Sequence, residues 1–240
     1  MMSNNTNLDP VVVDDSNNLA WAVVQVVVQQ PCEVYNLVYL HGASGVGKTQ
    51  MLRAIEQELR ELHPKLNVLY TTADEMTDQL IMDLINKTGG AFENRYQDVD
   101  VLLVDDIQLL AGKEATQERF VRVFDTFDRS SRQCVIASDR SVCELVLLNE
   151  HLQHRLGSTV SVEIGEPGPR IRREIVEREC CRMGLELAED IRSYLAEQAH
   201  NPFQLLGLVR RVAACHDLQK MPLDMVHVKA CLEAILAGER

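Results

Sequence analysis

Residues 37–49, LVYLHGASGVGKT, decide the fold. A short apolar run ends in a glycine-rich octet, and an amphipathic stretch over 48–62 follows; this reads as strand, tight loop and helix. The octet Gly42-Ala43-Ser44-Gly45-Val46-Gly47-Lys48-Thr49 fits the pattern G-x-x-x-x-G-K-[ST]. Glycines let successive backbone N–H groups turn inward around phosphate oxygens, and the helix amino terminus adds partial positive charge. Lys48 is long enough to reach the outer phosphates of ATP, and the Thr49 hydroxyl suits magnesium. All eight residues are candidate nucleotide-binding positions, with Thr49 also a candidate metal ligand.

The same alternation continues outward from this stretch. Strand-like runs lie at 37–41, 67–71, 101–104, 134–138 and 159–164, with helical periodicity near 48–62, 75–87, 116–127 and 145–156. Short Val- and Leu-rich runs separated by helices predict a five-stranded parallel sheet covered by helices on both faces. Upstream, Ser16 and Asn17 suit a helix cap before the Val-rich stretch to Pro31, although its β-branched content suits a strand equally. The alternation stops at Glu166-Pro167-Gly168-Pro169, where two prolines and a glycine deny both helix and ladder. Only helical patterns follow, at 170–183, 188–199, 202–216 and 225–236. The expected organisation is a loose segment 1–10, an α/β unit 11–165 and a small all-α unit 167–240.

Charge narrows the function. The 240 residues carry 24 Lys and Arg against 36 Asp and Glu, a formal charge of -12, which argues against holding duplex DNA by phosphate neutralisation alone. The excess lies in residues 1–165, with 13 basic and 24 acidic groups, whereas 166–240 carry 11 and 12. No apolar run approaches the roughly eighteen residues of a membrane helix. The first basic residue is Lys48, so no cationic leader is expected. Seven cysteines, odd in number and without a CxxC pair, argue against a disulfide framework and a zinc knuckle. A reducing cytoplasm and no membrane partner are expected.

Residues 101–106, VLLVDD, supply the complement to the glycine loop. A buried strand carries Asp105 to the carboxyl edge of the sheet, where it can hold magnesium through water, and Asp106 would face an attacking water. Asp is one methylene shorter than Glu, so slow turnover is expected.

Residues 101–124, VLLVDDIQLLAGKEATQERFVRVF, with VIASDR at 135–140, YNLVYLHGASGVGKTQML at 35–52 and LYTTADEMTDQL at 69–80, resemble the AAA+ core of the bacterial replication initiator DnaA family. The likeness runs from about Val11 to Cys215. It implies a P-loop NTPase of the AAA+ type, an α/β core followed by a helical lid, with ATP and Mg2+ in the crevice between them. It implies that Asp139 is the sensor-1 group that feels the outer phosphate. It also implies that Arg155, a catalytic candidate with Asp106, is an arginine finger reaching the ATP of a neighbouring subunit. The implied role is a slow ATPase or ATP-dependent switch in replication initiation or its control, acting with like subunits or a full-length DnaA-type initiator.

Three departures qualify the resemblance. Phe203 stands where the family carries its sensor-2 arginine, while Arg210 and Arg211, two turns onward, read as solvated. Of the family's single-strand-binding positions, Ile81 keeps the apolar one and Lys113 one basic one, but Ala115 replaces an arginine, so single-stranded DNA binding is not favoured. The chain as given ends at Arg240, with no room for the family's helix-turn-helix, so weak or no sequence-specific DNA binding is expected. The alternatives are a regulator of the Hda kind working by protein contact, a loader of a replicative helicase, and a nucleotide-binding relative without efficient hydrolysis. His151 and His154 read as exposed helix histidines, Cys180 and Cys181 as packing on different faces, and the arginines of 170–182 as ion-paired with interleaved glutamates.

Overall fold

The computed structural model describes residues 11–88 and 90–236; the expected loose segment 1–10 falls outside the described residues. In chain order the elements are α1 (Asn18–Gln29), β1 (Leu37–His41), α2 (Lys48–Leu62), β2 (Val68–Thr72), α3 (Ala73–Ile85), α4 (Ala91–Asn94), β3 (Val101–Asp105), α5 (Glu114–Arg129), β4 (Gln133–Ser138), α6 (Glu150–Gly157), β5 (Val160–Glu163), α7 (Pro169–Met183), α8 (Glu189–Gln198), α9 (Pro202–Gln219) and α10 (Met225–Leu236). The chain divides into two compact units, residues 17–165 and residues 166–236, with the segment Val12–Ser16 belonging to the second.

In the first unit all five strands are parallel, in the order β2-β3-β4-β1-β5. Period-two alternation sorts the side chains onto two faces. Val38 and Leu40 of β1, Leu103 of β3 and Ala137 of β4 pack with α1 and α2 residues such as Val24, Leu52 and Ile55. Tyr39, Leu102, Val104 and Ile136 pack on the other face with Met76, Phe120, Phe124 and Leu152. Because both faces are covered, β3 and β4 are buried along their whole length, which is why their sequences read as apolar runs rather than alternations. The open stretch before Pro31 is helix α1: Ala20, Val23, Val24, Val27 and Val28 recur at helical spacing and are buried. Each such valine contributes about 2 kcal/mol when fully buried.

Two expected helices begin elsewhere, for capping reasons. Helix α3 starts at Ala73 because Thr72 and Glu75 close a capping box in front of it. Residues 145–156 are not one helix: a 3-10 turn spans Val142–Glu144, and α6 begins only after Asn149, whose side chain accepts from the Leu152 N–H.

The second unit packs four helices around Val176, Leu195, Leu205, Val209, Val212, Val228 and Leu232. Asn201 and Pro202 start α9 as cap and first residue, and Gly184, left-handed at φ 63, ends α7. The segment 12–16, expected with the α/β unit, joins this unit instead. Arg170 donates to the Val13 carbonyl, and Gly168 admits Asp14 so closely that a Cβ there would lie 2.3 Å from its carboxylate. Of the two adjacent cysteines of α7, Cys180 is buried but Cys181 is exposed and does not pack. Among the described residues, no helix is long and apolar enough to cross a membrane.

Candidate functional site

Strand order brings the chemistry together. β4 lies between β1 and β3, so the glycine loop after β1, Asp105 at the end of β3 and Asp139 just after β4 share one carboxyl edge. Ligands bind at such edges in open parallel sheets.

The loop is shaped by close approach. A Cβ at Gly42 would stand 2.1 Å from the Ile164 carbonyl oxygen, so no other residue fits there, and Gly47 holds a left-handed φ of 105° at the start of α2. Inside the loop, Lys48 is only 6% exposed, and its Nζ donates to the carbonyls of Gly42 (2.7 Å) and Ala43 (2.9 Å). Burial lowers the lysine pKa, while the charges of Asp106, Asp139 and Asp105 work in the opposite direction. A buried ammonium hydrogen-bonded to neutral carbonyls fits an anionic ligand.

Across the edge, the Thr49 hydroxyl donates to Asp105 Oδ2 at 2.6 Å, and the Tyr70 hydroxyl donates to the same oxygen at 2.9 Å. The other oxygen, Oδ1, accepts from the backbone N–H of Asp106 at 3.0 Å. Asp105 is therefore buried, at 2% exposure, with both oxygens oriented. Burial, and next the charge of Asp105, push the Tyr70 pKa well up, so the phenol stays protonated and remains a donor. The Arg53 guanidinium lies 3.3 Å above the Tyr70 ring centroid and fixes its plane from α2. A hydroxyl and a carboxylate at this spacing are a hard-oxygen donor set of the kind magnesium takes.

Asp106 adopts the left-handed conformation, φ 55 and ψ 45, directly before a 3-10 turn over Ile107–Leu110. Gln108 donates from Nε2 to Asp106 Oδ1 at 2.8 Å and accepts at Oε1 from the Asp139 N–H at 3.2 Å. One amide thus spans the two acids. The Asp139 carboxylate is held in two hydrogen bonds by Arg140, at 2.7 and 2.8 Å, which keep its pKa below the usual range. Tyr39, buried under this edge, donates to the Arg140 carbonyl at 2.8 Å and anchors the turn.

Other expected positions are carried by other elements. Arg155 on α6 pairs with Asp125 of α5, Nε to Oδ1 at 2.8 Å. Phe203, at the second residue of α9, is 60% exposed. Arg210 is not merely solvated: its Nε binds Glu179 at 2.7 Å. Ile81 is exposed on α3, and Lys113 is paired with Asp74 at 2.7 Å. Sequence reasoning missed Tyr70, Arg53 and Gln108 as site residues. Only Gln108 left a signal, its place directly after the acidic pair.

A family described as the bacterial DnaA ATPase domain matches residues 2–163. The chromosomal replication initiator protein DnaA of Chloroflexus aggregans is 34% identical over 230 residues, covering 95% of this chain and 48% of that protein. The chain spans about half the length of the curated relatives it matches. Domain III of the Thermotoga maritima replication initiation protein DnaA superposes with a TM-score of 0.84 at 26% identity, over 96% of this chain and 99% of that one. A replication initiator DnaA bound to AMPPCP and single-stranded DNA matches with a TM-score of 0.74 at 31% identity, over 85% of this chain and 65% of that one.

Proposed function

The chain belongs to the bacterial DnaA ATPase-domain family, and from that premise we propose that it binds ATP and Mg2+ on the loop 42–49 and works as a slow ATPase or ATP-dependent switch in replication initiation or its control. The observation that carries the reading is the buried Lys48 ammonium, held against loop carbonyls at one edge with the Thr49–Asp105 oxygen pair. Thr49 and Asp105 would hold the metal, which when bound neutralises phosphate charge. Lys48 would supply the fixed cation at the outer phosphates, and the loop N–H groups would bind the inner ones. Asp106, its carboxylate fixed by Gln108, would orient a water, and Asp139 would report the outer phosphate through the same amide.

A cytoplasmic setting and assembly with like subunits complete the reading. A DnaA relative has been solved with single-stranded DNA. Here the Lys113 ammonium is engaged by Asp74, which disfavours a phosphate contact from that side chain. Single-turnover ATP loss tests the catalytic part. Wild type should exceed Asp106→Asn by about 100-fold or more, and equal rates would leave a binding switch without hydrolysis.

A second reading is supported by Phe203, exposed where the family carries a charged sensor. In it the chain is a regulator that acts on a partner's ATP through Arg155. Added in trans, the protein should then speed ATP loss from a full-length DnaA-type initiator, and Arg155→Ala should abolish the effect. A pull-down with the replicative helicase separates the loader alternative from both.

A further inference from the structure

The seven cysteines form no spaced motif in the sequence, yet packing brings two of them together. Cys215 lies near the end of α9 and Cys231 in α10, and their sulfur atoms are 2.8 Å apart, a contact between two partly buried free thiols. Each continues a buried stripe. Cys215 follows Leu205, Leu208 and Val212 at helical spacing, and Cys231 lies between the buried Val228 and Leu232. The backbone at both ends is fixed. The Cys215 carbonyl accepts the N–H of Lys220 as α9 closes, and the Cys231 carbonyl accepts from Arg211 Nε at 3.0 Å. Less than 1 Å of closure separates this contact from a disulfide bond of about 2.05 Å.

We propose that Cys215 and Cys231 form a reversible modification site, at which a low-molecular-weight disulfide oxidises the pair and staples α10 to α9. One cysteine thiolate attacks the reagent's S–S bond, forming a mixed disulfide and releasing one small thiolate, which takes up a proton. The second cysteine, as thiolate, attacks the mixed disulfide at the protein sulfur and releases the other small thiol. Two protein thiols are oxidised to one disulfide, and the reagent is reduced to two thiols. Burial, and next the adjacent Cys215, raise the Cys231 pKa, so exchange runs through a minor thiolate population and is slow at neutral pH. Cys143 and Cys181 are exposed, and Cys180 beside Cys181 is buried in the lid core. These two exposed thiols stop at the mixed disulfide and serve as internal controls.

The test is incubation of the full chain with oxidised and reduced glutathione at set ratios, followed by alkylation and tryptic mapping. Peptides 212–220 and 230–240 should become joined with loss of two hydrogens and separate again on adding reductant, while Cys143 and Cys181 carry glutathione. The melting temperature should rise by about 5 °C on oxidation, because a loop is closed in the unfolded chain. Cys215→Ser and the double variant with alanine at both positions should lose that rise without losing the fold. The proposal is overturned if Cys215 and Cys231 are both alkylated, or both carry glutathione, where Cys143 and Cys181 are fully converted. It is equally overturned if the cross-link joins two chains.

Discussion

Two almost fully buried charges, Lys48 in the α/β unit and Glu179 in the second unit, are handled in opposite ways. Lys48 in the α/β unit is 6% exposed and rests on two carbonyls, with no anion in direct hydrogen bond. Glu179 in the second, all-helical unit is 5% exposed and is held by Arg182, through Nε at 2.8 Å and Nη2 at 2.6 Å, and by Arg210 Nε at 2.7 Å. Those arginines hold its pKa at about 2. A buried charge with neutral partners carries a desolvation cost that a ligand can offset, whereas one with ionic partners is already compensated and serves the fold. Partner chemistry thus distinguishes a charge still open to a ligand from one already compensated within the fold. Several arginines of α7 are likewise engaged within their own unit. Arg178 binds Glu174, Arg182 binds Glu179, and Arg172 donates to the carbonyls of Ala196 and Pro167.

The largest effect should follow from removing the charge that has only neutral hydrogen-bond partners. Lys48→Ala is expected to weaken ATP–Mg2+ binding at least 100-fold, about 3 kcal/mol, the scale of charge-assisted contacts to phosphate. Without nucleotide, the same change should leave the melting temperature unchanged or raised, because a desolvated ammonium has been deleted. Thermal melts with and without nucleotide measure both halves. An equal nucleotide-induced rise in wild type and variant would break the comparison at its first member.

Glu179→Ala should do the reverse and destabilise the nucleotide-free protein by about 2 kcal/mol at pH 7, toward the low end for a broken buried pair. The low end applies because Arg182 and Arg210 are 62% and 54% exposed and can rehydrate once released. The effect carries a pH signature. The folded carboxyl titrates near 2 against an ordinary value of 4.5, so its contribution is complete above about pH 5 and is lost as pH falls toward 2. Urea unfolding at pH 7 and at pH 2.5 should show the gap between wild type and variant shrinking at the lower pH. A gap of constant size would mean that packing, not charge, is what the glutamate supplies.

Patterns that the backbone enforces were legible in the sequence, and choices made by single side chains were not. β1 and α2 occupy 37–41 and 48–62 as expected, because an apolar strand, a glycine turn and an amphipathic helix each impose their own period. The start of α6 was misjudged because Leu145 and Leu148 fit a helical stripe, although Asn149 supplies the cap. Within the site, the loop and the acids announced themselves by motif. Tyr70 did not, since a tyrosine in a strand has the same pattern whether it points into the core or toward a carboxylate. The cysteine pair was equally hidden, because 16 residues and a turn separate positions that only the pairing of α9 with α10 brings together.

The smallest of these effects tests whether the α/β site is as finely oriented as its geometry suggests. Tyr70 and Thr49 donate to the same oxygen of Asp105, so Tyr70→Phe removes one of two hydroxyls while keeping the ring under Arg53. Deleting one hydrogen bond to a carboxylate costs about 1 kcal/mol, roughly five-fold in a binding constant. Asp105 faces the metal in the proposed site, and phosphate contacts belong to the loop and Lys48. The loss should therefore appear in the magnesium dependence: ATP affinity in magnesium falls about five-fold, while affinity in EDTA holds. An equal fall under both conditions would place the tyrosine's influence on the nucleotide pocket as a whole. No fall under either would mean that Thr49 and the Asp106 N–H orient the carboxylate without it.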